Sequence, residues 1–251
     1  MKSIARLGLL CLIFLSVGCA TVQPPVSMGS EFYESENKSV GVIVQHKDEP
    51  EFYMEGDVRL LDFAIIAAAT SQLSSHIKTL DPKDFDLVVD EIQAALGQEG
   101  FSVTRLDRPV DVEALKDFAD ADPKDTVYFA DKDFSALQSE LGVDYLLMLT
   151  VTRAGVARGY HGFVPMSGPR AVFELQGQAV ELATNKLVWY KHIATANSPR
   201  GQWDEPPDFP GLTNSFYVAL ENAKQRVVQD IKRRADSAPA KSTNASAVTG
   251  N

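Results

Sequence analysis

The chain has 251 residues, of which 45% are apolar and 23% are charged, a composition typical of a folded protein rather than a disordered or collagen-like chain. Its formal net charge of −10 argues against a nucleic-acid binder, because phosphate contacts require basic patches. The two cysteines, Cys11 and Cys19, lie near the start, so we expect neither a disulfide nor a zinc site nor a cysteine nucleophile in the folded part.

Residues 1–18 are typical of a secretory signal peptide. Lys2 and Arg6 form a basic start, and an apolar run follows from Leu7 to Val17. That run is too short to cross a bilayer, which takes roughly 20 residues. The alternative, a buried amino-terminal helix, is disfavoured because no polar face balances the apolar side chains.

The end of this segment, Leu-Ser-Val-Gly-Cys at residues 15–19, resembles the bacterial lipobox, although Ser16 stands where Leu is commonest. The resemblance implies that the Cys19 thiol receives a diacylglyceryl group, and that cleavage before Cys19 frees an amine for a further acyl chain such as palmitate. Two or more acyl chains form a stable membrane anchor. Ala20, where inner-membrane lipoproteins tend to have Asp, implies the outer membrane.

The rest of the chain divides into three parts. Residues 19–38 are polar with a Pro-Pro pair, so we predict a lipidated, flexible or extended tether. Residues 234–251 are rich in Ala, Ser, Thr and Asn without apolar periodicity, which predicts a disordered tail. The folded body is therefore predicted to be one domain over residues 39–233.

The first half of this domain begins with a β-branched run at 39–45, which predicts a buried strand. Residues 57–80 predict a helix that is apolar nearly all round in its first half. We expect its 60–69 part to be buried in the domain, with a partner or a membrane contact as alternatives. A second, amphipathic helix is predicted over 81–97, with Asp as N-cap and Pro in its first turn, and a strand over 101–106.

The acidic segment 107–130 is predicted to contain loops and a short helix at 111–118. A further helix is predicted over 131–141 and ends at Gly142. Residues 143–152 form the strongest predicted strand, and because both of its faces are apolar it should be central in the sheet.

Two more strands, over 170–182 and 186–195, are predicted to form a hairpin through a tight turn at 183–185. A helix over 214–233 closes the domain. The whole order predicts an α+β fold, in which helices cover a mixed sheet of about five strands.

Three of these segments resemble the amino-terminal domain of the TolB translocation protein, a fold shared by curli-secretion lipoproteins and lipoprotein activators of peptidoglycan synthases. The segments are the strand at 40–44, the Leu-Gly-Val-Asp-Tyr-Leu-Leu run at 141–147, and the hairpin at 178–189 with its Val-Trp pair. Asn185 stands where the family usually has glycine. Uncharacterised lipoproteins of similar length are also similar. The resemblance implies a periplasmic, non-enzymatic module that binds partners or assembles into rings, but a shared fold alone does not fix the function.

The sequence offers little sign of catalysis. No two of its four histidines stand at metal-ligand spacing, and the common nucleophile and phosphate-binding motifs are absent. An SxxK pattern occurs at Ser75–Lys78, without the motifs that accompany it in penicillin-binding enzymes. We therefore predict no catalytic residue, no metal and no cofactor.

Two segments are candidate partner or ligand sites. The Gly-rich segment 155–168 is interpreted as a long mobile hairpin connection, with a loop that clasps a ligand or partner as the alternative. The Pro-rich segment 200–211 is interpreted as a packed lid over the sheet, or alternatively as a stiff, exposed recognition loop. Their candidate contact residues are Tyr160, His161, Phe163, Trp203 and Phe209.

These features together predict a lipid-anchored periplasmic scaffold, or an accessory protein of assembly or secretion, at the bacterial outer membrane. Its expected partners are the membrane, through the acyl chains on Cys19, other envelope proteins, and further copies of itself. The alternatives are a ligand-binding lipoprotein and, less favoured by the motifs, an envelope hydrolase.

Overall fold

The computed structural model describes residues 23–36, 38–119 and 127–232. The predicted signal peptide, Cys19 and the predicted tail at 234–251 lie outside the described residues. The helices are α1 (Ser30–Glu34), α2 (Leu60–Ala69), α3 (Ser71–Ile77), a 3-10 helix (Pro82–Leu87), α4 (Val88–Gln98), α5 (Leu137–Leu141) and α6 (Pro210–Ile231). The strands are β1 (Ser39–His46), β2 (Glu51–Asp57), β3 (Ser102–Arg105), β4 (Tyr145–His161), β5 (Val164–Pro165), β6 (Arg170–Glu181) and β7 (Lys186–Asn197).

The strands of the described residues form one mixed sheet in the order β3-β1-β4-β6-β7. Strand β1 is parallel to both β3 and β4, whereas β6 is antiparallel to β4 and β7 is antiparallel to β6. Strands β2 and β5 pair with the far end of β4. The α+β class with a mixed, helix-covered sheet is therefore confirmed, and the sheet has two strands more than the five predicted.

The periodic segments fold as predicted. The buried strand at the start, the central strand and the carboxyl-terminal hairpin become β1, β4, β6 and β7. The predicted N-cap of the second helix is also present, because the Asp81 carboxylate accepts a hydrogen bond from the Lys83 backbone N–H at 2.9 Å. Gly142 ends α5 in the left-handed conformation, with φ of 65°.

The helix predicted over 57–80 is wrong in its extent. Strand β2 occupies the chain up to Asp57, and the helical part is divided into α2 and α3 at Thr70. The Thr70 hydroxyl donates to the Ile66 carbonyl at 2.8 Å, a side-chain bond to the preceding turn that is common where helices bend.

The helices predicted over 111–118 and 131–141 are also corrected. Residues 111–118 form turns and a bridge from Asp117 to Lys132, and only the last five residues of the second segment are helical. In the second segment the cause is the buried Asn185. Its amide donates to the Ala130 and Lys132 carbonyls and accepts from the Phe134 N–H at 2.9–3.0 Å, so these backbone groups bond to the hairpin instead of to a helix.

The predicted tether is shorter than expected, because residues 23–36 pack on the domain. Phe32 is buried against Phe101, with ring centroids 4.6 Å apart, and the Tyr33 hydroxyl donates to the Ile231 carbonyl at 2.7 Å. Val26 forms an antiparallel bridge with Tyr190 beside the outer strand of the hairpin.

The sheet has an apolar core on each face. The larger core lies between the sheet and α4 and α6, and the smaller one lies under segments 106–115 and 128–141. Residues of β6 alternate between these faces: Phe173 and Leu175 are fully buried in the larger core, whereas Gln176 and Gln178 on the opposite face are half-buried.

Trp189 is the largest fully buried side chain, and a glycine makes room for it. Its six-membered ring lies directly over Gly177 of the neighbouring strand, where a Cβ atom would overlap ring carbons Cη2 and Cζ3. Since interiors are close-packed, neither ring nor backbone has space to yield.

We expect Gly177→Ala to lower the free energy of unfolding by about 1–3 kcal/mol, the usual cost of overpacking a core. Urea denaturation followed by tryptophan fluorescence would measure it. Gly97→Ala is the matched control, because Gly97 lies in α4 with no atom within 4 Å of the added methyl group. It should be neutral or stabilise by up to about 1 kcal/mol. Equal effects of the two substitutions would contradict this account of Trp189.

Candidate functional site

The first predicted loop, 155–168, is mostly not a loop. Strand β4 continues to His161, a two-residue turn at Gly162–Phe163 follows, and β5 pairs back onto β4. Gly155 allows strands β4 and β2 to approach closely, because a Cβ atom there would overlap the Glu51 backbone of β2. It is not a hinge in a mobile loop. Tyr160 is therefore buried, whereas His161 and Phe163 are exposed at the end of the hairpin.

Most side chains of the second predicted segment, 200–211, are exposed, and its two aromatic residues alone fit the interpretation of a packed lid. Phe209 is buried, with its ring centroid 5.3 Å from that of His76 on α3, so the alternative of an exposed contact is wrong for this residue. Trp203 is half-buried, and the Arg158 guanidinium of β4 lies 4.9 Å from its ring centroid.

The fold brings both predicted segments together, about 40 residues apart in the chain. They form the sides of a groove of about 290 Å³ beside α2, whose lining includes Ile65, Tyr160, Phe163, Trp203 and Phe209. Burial raises the pKa of the Tyr160 hydroxyl, and the nearby Arg158 opposes this only in part.

Helix α2 departs most from expectation. Leu60 is 89% exposed and Leu61 73%, and Phe63 and Ile65 are also exposed, so the expected burial of this helix in the domain is wrong. Of its residues only Ile66 is buried. The helix forms nonetheless, because the Asp62 carboxylate accepts from the Arg59 backbone N–H at 3.1 Å and caps the first turn.

The exposed side of α2 continues into the β4–β5 hairpin. A Cβ on Gly162 would lie 3.7 Å from the Asp62 carboxylate, so the turn abuts the helix. Beyond the turn, apolar side chains are again exposed. We call the combined set the tip surface; it consists of Leu60, Leu61, Phe63, Ile65, Phe163, Val164 and Met166.

The tip surface lies beside β2. A group of charged side chains links β2 to the neighbouring strands of the sheet. Glu55 accepts from Arg153 at 2.8 Å and from Arg170 at 2.6 Å, and Arg153 also donates to Glu174 at 2.9 Å. The Arg153 guanidinium stacks on the Tyr53 ring, 4.2 Å from its centroid. Burial raises the pKa of the Glu55 carboxyl, but the hydrogen bonds from the two arginines outweigh it and hold the pKa below its usual range.

A carboxyl with a lowered pKa in the folded state stabilises the fold above its unfolded pKa, and that stability is lost as the pH falls through its folded pKa. We therefore expect Glu55→Gln to cost about 1–2 kcal/mol at pH 7, within the range of hydrogen bonds to charged groups. The difference from the wild type should shrink at pH values below the ordinary Glu pKa of about 4.3.

Urea midpoints of both proteins across this pH range would measure the effect. Glu51→Gln is the control, since Glu51 is exposed at the start of the same strand, and its effect should be small at every pH. A Glu55→Gln difference that stays constant or grows on acidification would contradict the ion-pair account.

Two of the four histidines make structural contacts. His46 lies 2.7 Å from the Asp86 carboxylate and links β1 to the 3-10 helix, and His76 lies 2.7 Å from the Thr213 hydroxyl. Within residues 23–36, 38–119 and 127–232, no three His, Cys, Asp or Glu side chains are grouped so that they could hold a metal ion.

No single helix of the described chain is long and apolar enough to cross a bilayer. Two segments, Leu60–Ala69 and Ser71–Gln98, together reach the length and the apolar composition of a span, but the chain bends by 75° between them.

No family model matches the sequence, and no curated protein matches it. Solved structures do. The PelC dodecamer of Paraburkholderia phytofirmans aligns over 85% of this chain and 96% of its own, with 11% identity and a TM-score of 0.33. A Xanthomonas campestris protein of family DUF330 aligns over 83% and 89%, with 15% identity and a TM-score of 0.39. A Neisseria meningitidis lipoprotein aligns over 74% and 99%, with 14% identity and a TM-score of 0.26.

Bacterial lipoproteins are thus among the structures to which this chain is similar. At these TM-scores the likeness carries no inference about function, which has to come from the chain's own residues. Sequence reasoning found Tyr160, Phe163 and Trp203, but it gave the outward direction of α2 only as the alternative to burial. The available signal was its lack of a polar face: a helix apolar all round is either buried or in contact with something outside its own domain.

Proposed function

We propose that the protein is a lipid-anchored scaffold or assembly accessory of the bacterial outer membrane, facing the periplasm, and that it acts without catalysis by binding another protein through the tip surface. The observation that carries the proposal is the exposure of large apolar side chains on two adjacent elements, from Leu61 on α2 to Phe163 and Met166 on the hairpin. Contiguous apolar patches on a folded domain commonly mark interaction sites.

The energetics favour a protein partner that presents its own apolar side chains. Each Å² of apolar surface removed from water contributes about 25 cal/mol, so covering these side chains would stabilise a complex. The neighbouring groove between Ile65 and Trp203 offers a recess for an anchor residue, and aromatic anchors in such recesses often dominate binding.

A second copy of the chain is one partner that would fit. The tip surface lies beside β2, which pairs on one side only with β4 and is an edge strand among the described residues. Edge strands offer unpaired N–H and C=O groups to another chain. Ring or oligomer assembly, as implied by the sequence resemblance, would use these two features together.

Ligand binding at the groove is a second candidate function. Its volume of about 290 Å³ lies at the lower end of the range of small-molecule sites, roughly 300–1,000 Å³. The aromatic sides provided by Tyr160, Trp203 and Phe209 would suit a small apolar ligand.

The partner can be tested by photocrosslinking in intact cells. We expect a photoreactive residue at Leu61 or at Phe163 to crosslink to a protein, and one at the exposed Gln229 on α6 to give no such product. A product of twice the chain's mass would identify a second copy, and another mass a different envelope protein. Crosslinks to lipid alone, or the same products from Gln229, would contradict protein binding at the tip surface.

The variant Leu61→Glu tests whether α2 takes part in partner binding. Because Leu61 is largely exposed, the free energy of unfolding should change by no more than about 0.5 kcal/mol. The crosslink from Phe163 should nevertheless be lost, since a charge would be placed in an apolar contact. Retention of the crosslink would show that α2 is not part of the contact.

The anchor is tested separately. We expect Cys19→Ser to abolish incorporation of labelled palmitate and to leave a soluble or unprocessed protein, because sulfur is the nucleophile that takes the lipid. Cys11→Ser is the matched control and should keep the wild-type membrane fractionation. Unchanged fractionation of Cys19→Ser would refute the lipid anchor without bearing on the tip surface.

A further inference from the structure

A cavity of about 440 Å³ lies on the opposite side of the sheet from α4 and α6. The sheet forms its floor, and its walls come from segments 110–113 and 129–132. The volume is sufficient for a small ligand. The cavity is separate from the tip surface, with which it has no lining residue in common.

The floor of the cavity contains a patch of polar, uncharged side chains beside Met148 and Leu187. Gln45, Thr150 and Gln176 are in register on three adjacent strands, and Gln178 lies two residues further along β6. Directly paired residues point to the same face of a sheet, so these side chains form one patch of amides and a hydroxyl. A sheet face that served only to pack a core would carry apolar residues at these positions.

Most of these groups have unused hydrogen-bonding capacity. The Gln45 amide donates to the Val110 carbonyl at 2.9 Å and so holds the wall to the floor. In contrast, the side chains of Thr150, Gln176 and Gln178 have no hydrogen-bond partner among the described residues, although all three are half-buried. Half-buried donors and acceptors of this kind are available to a ligand.

The walls add aromatic surface. Phe129 and Tyr190 both line the cavity and are half-buried. Burial, and to a lesser extent the charge of Asp131, raises the pKa of the Tyr190 hydroxyl, which is therefore protonated and a donor at neutral pH. Charged residues of both signs, including Lys47, Asp111 and Glu113, also line the cavity, so its lining has no strong excess of one sign.

This chemistry selects among ligand classes. A phosphate or carboxylate would face three acidic side chains in the lining against two lysines. An apolar ligand would leave the amides without partners, at a cost in free energy. A neutral compound with many hydroxyl groups would satisfy amides and hydroxyls alike, and its C–H faces would suit an aromatic wall. We propose that this cavity binds an uncharged carbohydrate, held by Thr150, Gln176 and Gln178 and packed against Tyr190.

The full-length lipidated protein, purified in a detergent without a sugar head group, would be tested by saturation-transfer NMR. The probes are glucose, N-acetylglucosamine, maltose and N,N′-diacetylchitobiose. Because the recognising groups are common to neutral pyranoses, we expect at least one probe to bind with millimolar affinity or better. Absence of transfer to all four would overturn the proposal, as would tighter binding of glucose 6-phosphate than of glucose.

Two near-isosteric variants locate the site. Gln176→Met and Thr150→Val keep side-chain size but remove the hydrogen-bonding groups, and each should weaken binding of the bound probe about tenfold, the equivalent of one hydrogen bond. Gln229→Met on α6 is the control and should bind as the wild type does. Thermal melts establish that each variant is folded, and a folded variant of either floor residue with unchanged affinity would overturn the site.

The result of the carbohydrate-binding experiments does not depend on the tip surface. Loss of sugar binding in the floor variants should leave the Phe163 crosslink intact, and Leu61→Glu should leave sugar binding intact. If one of the two proposals, carbohydrate binding in the cavity or protein binding at the tip surface, is refuted, the other still stands.

Discussion

The length of β4 is the constraint on which the rest of the structure depends. Its 17 residues span up to about 56 Å, whereas α6, the longest described helix, spans about 33 Å. No described helix can therefore cover the whole strand. The core under α4 and α6 includes side chains of β4 as far as Val156, and the last residues of the strand pair with β2 and β5. The apolar side chains of α2 and of the hairpin lie outside this core and remain in contact with water.

The two faces of the sheet have different chemistry. On the helix side, alternate residues of β6 are apolar, and Gly177 leaves room for the indole of Trp189. On the other side the same strand presents amides, and an irregular segment held by Asn185 covers only part of them. One face thus contributes mostly stability, while the other keeps polar groups accessible.

Periodic residues made much of this fold predictable. Strands β1, β4, β6 and β7 and helix α6 follow from clear patterns of apolar side chains. Strand β2 was missed because its residues are mostly half-buried and alternate weakly. The glycines near 155 were interpreted as loop residues, whereas Gly155 permits close approach of a neighbouring strand. The direction of α2 could not be derived, because a helix that is apolar on every side does not show which side faces the core. Phe163 and Trp203 line the same groove because of how the end of the sheet is shaped. Local sequence patterns do not predict that shape.

The docking of the amino-terminal segment limits how far the domain can stand from a bilayer. Val26 is bridged to Tyr190, and only residues 20–22 lie between Cys19 and Gln23, the first described residue. The four residue steps from Cys19 to Gln23 extend over at most about 14 Å. If Cys19 carries the proposed acyl chains, the docked segment keeps the domain within this distance of the leaflet. A partner would then have to approach the surface of that membrane in order to be bound.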